Sequence, residues 1–239
     1  MSLGIVPEQG ATGVYRDSRF RLTFDDYPDP DSLPFGSVTL TSGAALFDAK
    51  VRVRLLDRAI EVDPRSRLAP NNVYFLAVRG VTSLGGRSVP DSGLGFRIGV
   101  GTELSPPEPA ASVPSWAQVQ AQLSPCAQGG CHARTDDAPA RDLALDGDPR
   151  DSVYGLLGVK ALSRRDTASP MVRVAPGDAA RSVLLRKLIG GDPSEQRGAD
   201  RYPKMAIDGE RMPPWPAPPL SEQSIRLVED WIDGGASVE

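Results

Sequence analysis

A chain of 239 residues is long enough for two ordinary domains, and its 40% hydrophobic content together with 24 glycines is enough to build real cores. The 24 Gly and 23 Pro predict many turns and short elements rather than long helices. A net charge of −4, spread along the chain, offers no phosphate-binding face and excludes nucleic acid as the expected partner; no apolar run approaches the roughly 18 to 20 residues that cross a bilayer.

From Gly13 to Val100 the dominant period is two. Phe20, Leu22 and Phe24 alternate with Arg21 and Thr23; Val51, Val53 and Leu55 alternate with Arg52 and Arg54; Tyr74, Leu76 and Val78 alternate with Phe75 and Ala77. Turn clusters separate these runs at Tyr27-Pro28-Asp29-Pro30-Asp31, Asp63-Pro64-Arg65-Ser66, Ala69-Pro70-Asn71-Asn72 and Leu84-Gly85-Gly86-Arg87. About seven strands spaced about ten residues apart fit an antiparallel sandwich. The stretch from Ser42 to Lys50 is irregular, and the strand order there is not fixed by pattern. "GATGVYRDSRFRLTF", "AIEVDPRSRLAPNNVYFLAVRGVTSLGG" and a closing "LGFRIGV" resemble, in that order, the bacterial Ig-like domains of surface and envelope proteins over residues 5 to 100. The half contains no Cys, so a disulfide-pinned core is excluded.

Residues 104–113, rich in Pro and Ser, read as a linker between a domain at 1–103 and another at 114–239. Beyond it the period becomes helical. Trp116, Val119, Gln120 and Leu123 fall on one side of a first helix; Asp178 or a neighbour caps a second through Ser182–Ile189, closed by Gly190-Gly191. Ser221 caps a third, in which Ile225, Val228, Trp231 and Ile232 form one stripe before Gly234-Gly235.

Between the first two helices stands "PCAQGGCH", which holds both cysteines and the one histidine of the chain. C-x-x-C-H attaches a c-type haem, its thiols adding to the vinyl groups and its His ligating iron. Here four residues separate Cys126 from Cys131, a longer loop that Gly129-Gly130 make feasible. Other readings of these residues stand beside this one: a Cys126–Cys131 disulfide; a zinc site, if Asp136 or Asp137 joins the three N/S donors; and a thiol nucleophile activated by His132, for which no third orienting group is evident. If a haem is present, no second His can ligate it, which leaves Met, Lys, water or an open position. Met1, Met171, Met205 and Met212 are the methionines, and Met212 precedes five prolines in the seven positions 213–219, a stiff arm that could hold a thioether or could simply connect elements around a core Met.

"SWAQVQAQLSPCAQGGCH", "VRVAPGDAARSVLLRKLIGG" and "RMPPWPAPPLSEQSIRLVEDWIDGGA" resemble, in this order, the small class I cytochrome c domains of bacterial envelope proteins over residues 114 to 237. The resemblance implies an all-α domain with one covalent haem c, Cys126 and Cys131 as thioether positions, His132 as proximal ligand and Met212 as distal ligand, with Met205 in reserve. It also implies that the first helix packs across the last, that Arg173 and Arg211 neutralise the haem propionates, and that Pro176 walls the proximal side.

The expected architecture is therefore multidomain, an all-β Ig-like sandwich followed by an all-α cytochrome c-like domain. Iron held by both His132 and Met212 has no open position for substrate, so the chain is expected to be an electron carrier rather than an enzyme, its partners being redox proteins of the cell envelope. The Ig-like half is expected to be a spacer or docking module. Alternatives from other classes are a haem sensor or peroxidase-like enzyme with a displaceable Met, and an adhesion or partner-binding protein stabilised by a disulfide or zinc and lacking haem. Because haem c is attached after export, the chain is expected in the periplasm or at the cell surface of a Gram-negative bacterium, with an export signal or lipid anchor missing upstream of Met1.

Overall fold

The computed structural model describes residues 1, 3–34, 36–89, 94–106, 112–127, 132, 133, 143–161, 171–191, 203, 205–207, 209–214 and 217–239. The chain divides into two compact units, Met1–Ala110 and Ala111–Glu239.

Among the described residues the first unit contains eight strands: β1 (Leu3–Val6), β2 (Phe20–Phe24), β3 (Val38–Ser42), β4 (Ala45–Phe47), β5 (Ala49–Arg54), β6 (Ala59–Pro64), β7 (Val73–Val78) and β8 (Leu94–Gly99). They form two antiparallel sheets in the orders β1-β2-β6-β5 and β4-β3-β7-β8. Period two explains which face each strand buries. Phe20, Leu22, Ile60 and Val62 from the first sheet and Leu40, Tyr74, Leu76 and Ile98 from the second are each at most 1% exposed, so the core draws on both sheets. The intervening arginines face outward toward acids: Arg21 reaches Asp57 at 2.8 Å, and Arg52 lies 3.7 Å from Glu61 and 3.8 Å from Asp63. Tyr74 buries its ring against Phe47, edge-on at 5.4 Å between centroids, and its hydroxyl accepts the Ala69 N–H at 2.9 Å.

The irregular stretch after Ser42 is a hairpin. Ser42 pairs with Ala45, leaving a two-residue turn whose first position, Gly43, has φ +60°, the conformation such turns require of glycine. Val51, expected inside, is 36% exposed because β5 lies at the edge of its sheet.

In the second unit the regular elements among the described residues are α1 (Trp116–Leu123), α2 (Val183–Ile189) and α3 (Glu222–Asp233), plus short 3-10 turns. Among the described residues this is sparser than the all-α domain expected: helices of 8, 7 and 12 residues, with isolated pairings such as Leu157–Val174 besides them. Ser115 and Gln118 cap α1 reciprocally, and the Ser221 hydroxyl accepts the Ser224 N–H at the start of α3. α3 ends in paired bonds from Gly235 to Ile232 O and from Ala236 to Trp231 O. α1 packs on α3 as expected, with Trp116 and Trp231 ring centroids 5.3 Å apart and Val119, Leu123, Val228 and Ile232 at 0% exposure. Asp178 caps a separate 3-10 turn, Ala179–Arg181, rather than α2. The helix breaks at extended Ser182, whose hydroxyl bonds Asp178 O at 3.0 Å and Ala175 N–H at 2.8 Å.

Candidate functional site

Cys126 follows directly from α1: the helix ends at Leu123, and the 3-10 turn Ser124–Cys126 continues the winding to the thiol. The His132 N–H then donates to Cys126 O at 3.2 Å and closes the loop between them. Both side chains are 7% exposed. Cys131, the glycines before it, Asp136 and Asp137 lie outside the described residues. Among the described residues no group of three or more His, Cys, Asp or Glu could hold a metal.

The His132 ring is oriented by the chain that follows. Nδ1 lies 3.2 Å from Leu143 O. A carbonyl can only accept, so Nδ1 carries the proton and, in the neutral ring, Nε2 holds the lone pair that binds a metal. Two further bonds fix that chain: Leu145 N–H to His132 O at 2.8 Å, and Gln120 Nε2 to Leu145 O at 3.3 Å from the flank of α1.

Cys126, His132 and Met212 line one cavity of about 320 Å³, within the roughly 300–1,000 Å³ of ligand sites. Apolar walls come from Leu123, Leu143, Leu145 and Leu156 and, on α2, Val183, Leu184 and Leu188. Among the described residues its charged lining is Arg173, Lys187 and Glu210. Arg173, 6% exposed, is held by Nη1 bonds to Val153 O at 3.0 Å and Gly155 O at 2.8 Å.

Met212 is placed by α2. Its N–H donates to Lys187 O at 2.7 Å, in the last turn of that helix. Gly190-Gly191 do more than end α2: a Cβ on Gly191 would stand 2.6 Å from Arg211 N and 2.7 Å from Gly209 O, so only glycine lets the segment leading into Met212 pass this close. Met205 is fully buried, with its carbonyl accepting from Arg186 at 3.3 Å, and is not part of the cavity lining.

Two of the expected wall and charge residues are elsewhere. Arg211 is 1% exposed, but its Nη2 donates to Ala217 O at 3.0 Å and it does not line the cavity. Pro176 is exposed on the turn before Asp178 and likewise does not line it. Lys187 was not a candidate from sequence, since a lysine near a helix C-terminus reads as an ordinary surface cation.

Residues 3–97 match the family model of the bacterial Ig-like domain. The first unit is a domain of that kind. Among solved structures, the chain aligns with the N-terminal part of the bacterial S-layer protein SbsC at 15% identity, over 46% of this chain and 25% of that one, with a TM-score of 0.33. The copper resistance protein PcoC from Escherichia coli aligns at 18% identity over 41% of this chain and 95% of its own, also at 0.33. Likenesses at that score carry no functional argument. The chain spans a quarter of the length of the S-layer fragment. No curated protein matches the sequence. Among the described residues no helix is long and apolar enough to cross a membrane.

Proposed function

We propose that the second unit is a class I-like monohaem cytochrome c domain and that the chain is an electron-transfer protein of the bacterial envelope, with the Ig-like domain as spacer or docking module. One observation supports this most: Met212, eighty residues beyond His132, lines the same largely apolar cavity as Cys126 and His132.

The residues present fit the group. An imidazole whose Nδ1 is held by Leu143 O and a thioether on a pinned arm form a His/Met donor pair, and apolar walls suit a porphyrin face. Arg173 and Lys187 supply positive charge for its carboxylates. When bound, a haem supplies reversible one-electron exchange between ferric and ferrous iron. Cys126 and Cys131 would hold the haem as thioethers, each thiol adding S–H across a vinyl double bond with no atom lost and no oxidant needed. His132 Nε2 and the Met212 thioether would hold the iron, a donor pair that leaves no place for substrate and favours a raised potential. The leucine walls keep water from the ligands. Attachment of this kind follows export, which puts the working protein in the periplasm or at the cell surface.

The test is expression of the full chain behind an export signal in a host with c-type haem maturation. The expected product retains haem after denaturation, and replacing both cysteines by serine abolishes that retention. Wild-type protein without covalent haem contradicts the reading and returns Cys126 and Cys131 to a disulfide or metal pair.

A further inference from the structure

Lys187 is bonded to the Met212 arm twice. Its carbonyl accepts the Met212 N–H at 2.7 Å, and its Nζ donates to Glu210 O at 2.9 Å, two residues upstream on the same arm. The side chain also lines the cavity beside Met212. The two bonds form a clamp around Glu210–Met212, a segment with no ladder or helix of its own to fix it. Met212 follows Arg211, whose guanidinium is bound to Ala217 O on the far side of the methionine, so the arm is gripped before and after the thioether. A charged donor on a half-buried carbonyl is a stronger restraint than a neutral pair.

We infer that Lys187 is the positioning residue for Met212: it sets how firmly the thioether is presented to the cavity. Its role at the iron rests on the haem reading, whereas its grip on the arm does not. Removing Nζ leaves the main-chain bond and the cysteine attachments in place, so the arm loosens without losing its fold.

The experiment compares wild type, Lys187→Met and Lys187→Arg in the full chain. Hydrogen exchange at the Met212 amide, by NMR, reads the clamp whether or not haem is bound. Imidazole titration of the ferric protein reads the competition at iron. Lys187→Met is expected to lower Met212 protection and to bind imidazole about tenfold more tightly, the factor equivalent to one ordinary net hydrogen bond. Lys187→Arg, which can still donate to Glu210 O, is expected to restore both. Unchanged Met212 protection in folded Lys187→Met overturns the clamp. Lowered protection with unchanged imidazole affinity overturns its role as a positioning residue, and absence of haem from wild type contradicts the haem reading instead.

Discussion

The two units satisfy their backbones by different means. In the Ig-like domain, strand ladders pair most carbonyls, and strand arginines stand against acids, as Arg52 does with Glu61 and Asp63, while Arg16, outside the strands, donates to Leu68 O at 3.0 Å. In the second unit, where helices are few among the described residues, long side chains reach inward to main-chain carbonyls: Arg173 to Val153 and Gly155, Arg186 to Ala180 at 2.8 Å, Arg211 to Ala217, Lys187 to Glu210 and His132 to Leu143. Arginine and lysine donate and never accept, which suits them to carbonyls that no ladder pairs. An irregular enclosure built this way can wrap a large cofactor, since its chain is free to follow the shape of a ligand rather than a pleat.

The difference can be broken first at the α1–α3 contact. Trp231→Ala removes a fully buried ring, its contact with Trp116 and the Nε1 bond to Ser237 O, and is expected to cost the second unit about 3–5 kcal/mol. Hydrogen exchange resolved along the chain checks this: α1 and α3 should lose protection and β6 and β7 should keep it. A smaller effect follows Gly191→Ala, which forces the Arg211 segment away from α2 at about 1–3 kcal/mol. The three tryptophans of the chain all lie beyond residue 113, so denaturant unfolding followed by their fluorescence reads the second unit alone.

The smallest effect belongs to acid and to the first unit. Burial pushes the Asp26 carboxyl up, but the Ser83 hydroxyl, the Tyr27 N–H and Arg87 outweigh it and hold it below 3.8. The Ser105 N–H and hydroxyl hold Asp17 below the same value. Carboxyls depressed in the folded state stabilise it above the unfolded value and lose that contribution as pH falls through the folded ones. Thermal melting of the first unit should therefore be flat above about pH 5 on this account and decline as pH falls through 3.8 and below, less steeply in Asp26→Asn.

The strands at Phe20–Phe24 and Val73–Val78 were legible because one face of each is wet and the other dry, which writes period two directly into the sequence. The β3–β4 hairpin was not, since Ala44-Ala45-Leu46 lacks that contrast and only Gly43 marks its turn. Apolar stripes made α1 and α3 readable, with the Ser221 cap marking the second of them, whereas the start of α2 depended on a bond from the Ala175 N–H to the Ser182 hydroxyl. For the site, residue chemistry pointed to Cys126, His132 and Met212, which the fold brings to one cavity. The roles of Lys187, Gly191 and Arg211 depend on which segments pass each other, and no local pattern records that.

The measurement that tests the central proposal most directly is the absorption spectrum, oxidised and reduced, of exported wild-type protein and Met212→Ala. The account predicts covalently held haem with low-spin bands in wild type and loss of those bands in the variant. Haem whose spectrum is unchanged in Met212→Ala would contradict His/Met ligation and turn the search to Met205, and wild type with no haem would contradict electron transfer itself.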